Sequence, residues 1–316
     1  MRILFCGNTF PDAPEYLREH LPSDANDEII ACTATDIIPK LSGVDIVIPK
    51  MQRIGCAEIE AGQFQLIQQW GTGLECIDLE SAKKKEIYVA NVPATGGNAE
   101  SVAEHAILLI LSLLRELPKA QAHVRAGVHG TPLGKMLAGR TVCLYGLGAI
   151  ALPLAKRLHS FEVNLIGITR DPTASKVSEF GLSRCFSLEE RERAFAATDI
   201  LILCMRYTEE MRGMIGAKEL AWLKRRAYLI NVARGGVIDG EALYSHLVCG
   251  HLAGAGLDVF WQEPIPTNDP VLALPNVIAT PHVGGATEPS FEMIAKVVAT
   301  NVERIRYGNP PLHTAF

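Results

Sequence analysis

The sequence has no CxxC pair, no block of like charges, no evident internal repeat and no apolar run of membrane-spanning length. Each absence closes off a class of function. Without paired spacing, the eight cysteines suggest neither a structural zinc site nor a dithiol redox motif. Cys6, Cys143 and Cys204 lie inside apolar strand-like runs and Cys249 stands alone, so buried reduced thiols are expected. The longest apolar helical run, Ala106 to Leu114, is interrupted by Ser112 and stops at Arg115-Glu116, well short of a bilayer. The opening residues, Met1 to Gly7, read as a strand and are too short for a signal-peptide core. A net charge of −5 gives no electrostatic reason to expect nucleic acid or an anionic membrane as partner. A soluble, cytoplasmic protein is the expectation.

What is present suits a large globular chain. The 316 residues are enough for two domains, and 48% hydrophobic with 21% charged residues argues against long disorder. The first ninety residues alternate apolar runs (Ile3 to Cys6, Glu28 to Ala31, Asp45 to Pro49, Phe64 to Trp70, Ile87 to Asn91) with short helical stretches at Pro14 to His20, Ile37 to Leu41 and Asp78 to Lys85. Such alternation predicts a mostly parallel sheet covered on both faces. Pro93 to Asn98 reads as a linker. A strong helix should run from Asn98, as its cap, to Leu117, closed by Pro118. Its centre is apolar nearly all round, which predicts burial between domains or subunits. Gln121 to Leu137 reads as an irregular arm.

Thr141 to Thr169 has the order strand, glycine turn, helix, strand, the length of one βαβ unit. In Gly146-Leu147-Gly148-Ala149-Ile150-Ala151, Gly146 permits the tight turn and Gly148 lets backbone amides approach a pyrophosphate. Ala151 is small enough for close packing of helix on strand. Beyond it, Asp199 to Met205, Ala227 to Val232, Ala253 to Asp258 and Val277 to Thr280 read as strands. Ala217 to Trp222, Glu241 to Gly250 and Glu288 to Tyr307 read as helices, the last one able to return the chain to the first domain.

Three polar residues follow apolar runs of the second half, each beside glycine or proline: Arg234, Glu263 and His282. Together they suit reduction of a 2-keto acid. A guanidinium binds carboxylate and keto oxygen as a fork. An imidazolium can protonate the carbonyl oxygen, and a carboxylate beside it favours the charged form. Gly71-Thr72-Gly73, after another apolar run, is either an anion-binding turn whose Thr72 and Gly73 amides hold a carboxylate, or a plain turn into the next helix. Lys50 and Arg53, past a strand end, read as solvated loop charges, with a distal anionic substrate group as the alternative. Trp70 could make an apolar wall.

The sequence resembles the D-isomer-specific 2-hydroxyacid dehydrogenase family over nearly its whole length. The motifs are Gly71-Thr72-Gly73 with Ile77-Asp78, Ser101-Val102-Ala103-Glu104-His105, Gly146 to Ala151, Asn231 to Gly236, Asp258-Val259-Phe260 with Glu263-Pro264, and Thr280 to Gly285. The resemblance implies two α/β domains of Rossmann-like and flavodoxin-like type with parallel sheets, the cofactor domain (98–286) inserted into a substrate domain (1–97 plus 287–316). Catalysis is then expected in the cleft, and the helix from Asn98 with its arm would be the homodimer contact. It implies that Arg234 binds substrate, Glu263 orients His282, and His282 is the general acid/base. Cofactor contacts would fall on Gly146, Gly148, Ala149, Ile150, Thr169, Arg170, Asp171, Ala233 and Asp258, with Asp258 at the nicotinamide carboxamide. Substrate contacts would fall on Thr72, Gly73, Arg234 and His282, and no metal is implied. Members specific for NAD carry an acidic residue where this chain has Thr169, so Arg170 points to NADP(H), with NAD(H) the alternative through Asp171. The end at Phe316 leads to the expectation that the regulatory domains of long phosphoglycerate dehydrogenases are absent. The alternatives are a dinucleotide-sensing, corepressor-like protein without turnover, and a methyltransferase, which leaves Arg234 and His282 unexplained.

Overall fold

The computed structural model describes residues 1–94 and 97–316. Thr95 and Gly96, within the expected linker, lie outside the described residues. The chain divides into two units, Met1–Asn98 with Ala286–Phe316, and Ala99–Gly285.

Among the described residues the first unit holds five strands, β1 (Arg2–Cys6), β2 (Glu28–Cys32), β3 (Ile46–Ile48), β4 (Leu66–Gln68) and β5 (Tyr88–Ala90). They form one parallel sheet in the order β2-β1-β3-β4-β5, the flavodoxin-like arrangement. Successive side chains alternate faces, so Ile3 and Phe5 enter one core with Phe291, Ile294 and Val298, while Leu4 and Cys6 enter another with Ile54 and Ile59. The final helix, Glu288–Arg306, covers the first of these faces. Its buried Asn301 is satisfied by Gln68 Oε1 at 2.7 Å and by the backbone of Leu312.

The second unit holds β6 (Thr141–Tyr145), β7 (Asn164–Ile168), β8 (Arg184–Phe186), β9 (Ile200–Leu203), β10 (Ala227–Asn231), β11 (Leu252–Leu257) and β12 (Val277–Ala279). Their order is β12-β11-β10-β9-β6-β7-β8, all parallel. Counted from β6, this is the doubly wound dinucleotide-fold order with one strand added. β9, β10 and β11 are buried along their whole length, as a sheet covered on both faces requires.

Two expectations need correction. The helix from Asn98 ends at Leu114, and Pro118 does not close it. The chain turns at Glu116 (φ 48°), and Pro118 stands in the first turn of a new helix, Leu117–Arg125, where its missing N–H costs nothing. The first five residues of the expected irregular arm, Gln121 to Arg125, are thus helical. The first of these helices is buried on the side facing its own sheet, through Ala106, Leu109, Ile110 and Leu113, but Leu108 is exposed. A local backbone arrangement also recurs in the two units. Ile54 pairs with Ile77 and Ile215 with Ile238, in matching substructures of the two units. Few side chains are shared between them, and the repetition is chiefly one of backbone.

Candidate active site

β10, β11 and β12 lie side by side with Asn231, Leu257 and Ala279 in register. The residues just beyond their carboxyl ends therefore share one edge of the sheet, with outer strands about 10 Å apart. Arg234, Asp258, Glu263 and His282 all occupy these turns. Arg234 precedes the 3-10 turn Gly235–Val237. Asn231 holds that turn, its Nδ2 donating to Arg234 O and its Oδ1 accepting from Ala233 N, both at 3.1 Å. Arg234 Nη1 donates to Ala233 O at 2.8 Å. Gly235 is required by close approach: a Cβ there would lie 1.8 Å from the carbonyl carbon of Phe260. The arginine turn and the turn carrying Glu263 are thus backbone to backbone.

His282 Nδ1 lies 2.7 Å from Glu263 Oε2, while Glu263 Oε1 accepts the amide of Phe260 at 2.8 Å. A carboxylate on Nδ1 fixes the proton there and leaves Nε2 as the nitrogen that gains and loses a proton. His282 has φ 57°, a left-handed conformation that costs a non-glycine residue energy. Its amide donates to Asp258 O at 2.8 Å and to Thr280 O at 3.0 Å, which holds it there.

Asp258 is only 3% exposed. Burial alone would push its carboxyl up, but hydrogen bonds from His105, Thr280, Gly284 and Val283 outweigh this and hold it below the usual carboxylate range. Thr280 Oγ1 donates to Oδ1 at 2.6 Å, so its oxygen is left to accept from His105 Nε2 at 2.8 Å. His105 and Thr280 belong to the motifs Ser101 to His105 and Thr280 to Gly285, which by themselves give them no role. Their signal was position in a motif, and only the fold supplies the partner.

At the other part of the second sheet, β6 ends in the glycine turn. Gly146 has φ 98°, and a Cβ on it would lie 2.5 Å from Met205 Cα; a Cβ on Gly148 would meet nothing within 4 Å. The helix that follows, Ala151–His159, has no side-chain cap, and Ala151 is fully buried. Uncapped amides beside open space suit a phosphate group, so this turn fits a dinucleotide. Gly148 and Ala149 are exposed, Ile150 partly so. Thr169 is half-buried, and Arg170 and Asp171 beyond it are exposed.

In the first unit, three consecutive carbonyls of the glycine pair's turn are tied down. Val92 N donates to Gly71 O at 2.8 Å, Asn91 Nδ2 to Thr72 O at 2.8 Å, and Gln69 Nε2 to Gly73 O at 2.7 Å. In a trans peptide the N–H points opposite the carbonyl, so the amides of Thr72, Gly73 and Leu74 are turned away from those donors. Lys50 is not a solvated loop charge: it is 5% exposed, and its Nζ donates to Gly7 O at 2.8 Å. Burial pushes its ammonium below the usual range. Arg53 is exposed. Trp70 is a core residue packed on Phe5 and Phe291.

A glycine turn fitted to a dinucleotide lies on the same sheet as the His282–Glu263 contact, an arrangement that suits a nicotinamide-dependent oxidoreductase. Comparison with known proteins gives the family. The D-isomer specific 2-hydroxyacid dehydrogenase NAD-binding domain matches residues 107–284. Glyoxylate reductase of Korarchaeum cryptofilum is 32% identical over 303 residues, covering 93% of this chain and 90% of that protein. D-3-phosphoglycerate dehydrogenase of Archaeoglobus fulgidus is 31% identical over 278 residues, but these span only 51% of its length. The solved NADPH-dependent glyoxylate/hydroxypyruvate reductase of Sinorhizobium meliloti, with NADP and malonate, has a TM-score of 0.81 at 31% identity over 99% of this chain and 96% of that one. The chain belongs to the D-isomer specific 2-hydroxyacid dehydrogenase family and is an oxidoreductase using a nicotinamide dinucleotide. Among the described residues no cluster could hold a metal ion, and no helix is long and apolar enough to cross a membrane.

Proposed function

We propose that this protein reduces a small 2-keto acid, glyoxylate or hydroxypyruvate first among them, to the corresponding 2-hydroxy acid with NADPH, the D isomer where the product is chiral. The observation that carries this reading is the 2.7 Å contact of Glu263 with His282 at the sheet edge that also bears Arg234. Bound reduced nicotinamide supplies the hydride. His282 Nε2 gives its proton to the carbonyl oxygen, and Glu263 stabilises the imidazolium before that transfer. Arg234 polarises the keto oxygen and binds the carboxylate. Thr72 and Gly73 are assigned to the same carboxylate on the strength of their turned-out amides. Asp258 Oδ2, which accepts Gly284 N at 2.8 Å, has a lone pair left for a carboxamide N–H. Gly146, Gly148, Ala149 and Ile150 are assigned to the pyrophosphate and Ala233 to the nicotinamide side. Thr169, Arg170 and Asp171 are assigned to the adenosine ribose. Arg170, with no acidic residue at Thr169, supports a 2′-phosphate and so NADPH over NADH.

A homodimer is part of the proposal, formed through the exposed apolar side chains Leu108, Val124, Leu133 and Met136, of which Leu133 is 93% exposed. The eight cysteines are all free, which suits a reducing compartment such as the cytoplasm.

The test is steady-state oxidation of NADPH and NADH with a panel of 2-keto acids, for wild type and His282→Ala. Loss of the imidazole should lower kcat by roughly 10²- to 10⁴-fold with nucleotide affinity retained. Nucleotide binding by wild type with no turnover of any acid would sink the reductase reading and favour a sensor.

A further inference from the structure

The glycine turn after β6 has a cationic neighbour outside its own motif. Tyr145, the last residue of β6, is in register with Ile168 of β7 on one side and with Leu203 of β9 on the other. The chain leaving β9 is pressed onto the turn. Cys204 N donates to Tyr145 O at 3.0 Å and its Sγ to Gly146 O at 3.2 Å. Met205 Cα would meet a Cβ on Gly146 at 2.5 Å. Arg206 is the next residue, and it is exposed. Arg170 stands two residues beyond β7 and is exposed as well.

The two arginines leave the sheet on opposite sides of the turn, beyond strands that flank β6 and lie about 10 Å apart. Neither has a carboxylate partner among the described residues. Arg212, on the same connection as Arg206, is by contrast paired with Glu209 at 2.7 Å. Between the two strands that carry them, the turn after β6 leaves Gly148 open and leads into a helix without a side-chain cap. An unpaired guanidinium on each side of an amide-lined opening is an arrangement for phosphate, which accepts the planar fork through two oxygens.

We propose that Arg206 is a phosphate-binding residue of the dinucleotide site, acting from the β9 side as Arg170 does from the β7 side. This rests on the dinucleotide reading above. Two groups of one cofactor share the required chemistry, the pyrophosphate over the helix N-terminus and a 2′-phosphate on the adenosine ribose.

Affinities of the purified protein for NADPH, NADH, 2′,5′-ADP, 5′-AMP and adenosine, measured by calorimetry, distinguish them. The variants are Arg206→Gln and, as a control for lost surface charge, Arg212→Gln. Arg206→Gln should weaken phosphate-bearing ligands roughly tenfold, the control should not, and both should melt as wild type does. A loss confined to NADPH and 2′,5′-ADP assigns the 2′-phosphate; a loss shared by NADH and 5′-AMP assigns the pyrophosphate. Either supports the proposal. Unchanged affinity for all ligands overturns it, as does an equal loss for adenosine, which would make Arg206 a stacking residue. Failure of wild type to bind any nucleotide would instead overturn the dinucleotide reading, and this inference with it.

Discussion

Residues 54–78 of the first unit and 215–239 of the second are the same piece of backbone put to two uses. In each, an isoleucine bridges to another twenty-three residues later, Ile54 to Ile77 and Ile215 to Ile238. Each isoleucine is followed by a glycine whose amide donates to a glutamate three residues on, Gly55 to Glu58 at 2.9 Å and Gly216 to Glu219 at 3.2 Å. Each segment ends in an aspartate that caps the next helix, Asp78 and Asp239. Between these points the two differ. In the first unit the turn is Gly71 to Leu74, with its carbonyls held and its amides turned out. In the second, Arg234 stands where the first has Gly73, and Gly235 where the first has Leu74. One frame therefore presents backbone donors and the other a guanidinium. The lesson is that the hydrogen bonds defining the frame lie outside the turn, so the turn can change chemistry without disturbing the strands around it.

The largest effect that would sharpen this contrast is at Gly235. An alanine there must displace the backbone of Phe260, so Gly235→Ala should cost about 3 kcal/mol or more of stability. At the matching position Leu74→Ala trims a half-buried side chain and should cost about 1 kcal/mol. Denaturant melts of the two variants decide, and equal losses would show that the turns are not differently constrained. Next in size is Asn91→Ala, which frees the Thr72 carbonyl. It should raise KM for the keto acid roughly fivefold while leaving NADPH affinity alone. A shift in cofactor affinity with KM unchanged would break the assignment of this turn to substrate. Smallest are the caps. Glu58→Ala and Glu219→Ala should each cost about 0.5–1 kcal/mol, and by similar amounts. A clear inequality between them would mean that the two frames are not held in the same way.

Much of the fold was legible along the chain because parallel strands buried on both faces are written as short, continuous apolar runs. β9 and β10 fall inside the expected ranges for this reason, and β11 begins one residue before its own. The elements that are faint in the sequence are short or polar. The helices Cys56–Ala61, Ala174–Phe180 and Arg191–Ala197 and the edge strand Arg184–Phe186 bury few residues each and so leave little apolar signature. The frame shared by residues 54–78 and 215–239 is faint for a related reason. It is carried by main-chain hydrogen bonds and a handful of side chains, which a comparison of residue types does not weigh.

The same division holds for the site. Local sequence determined that Arg234, Glu263 and His282 follow apolar runs and sit beside glycine or proline, and that Gly146 and Gly148 open a helix, because turn chemistry depends on neighbours along the chain. Only the tertiary structure could set Glu263 Oε2 on His282 Nδ1 or surround Asp258 with donors from His105 and Thr280. It alone buried Lys50 against Gly7 and brought Arg206 to the glycine turn opposite Arg170. Those pairings join residues far apart in the sequence, and burial and distance, the quantities that set their chemistry, exist only once the sheets have formed.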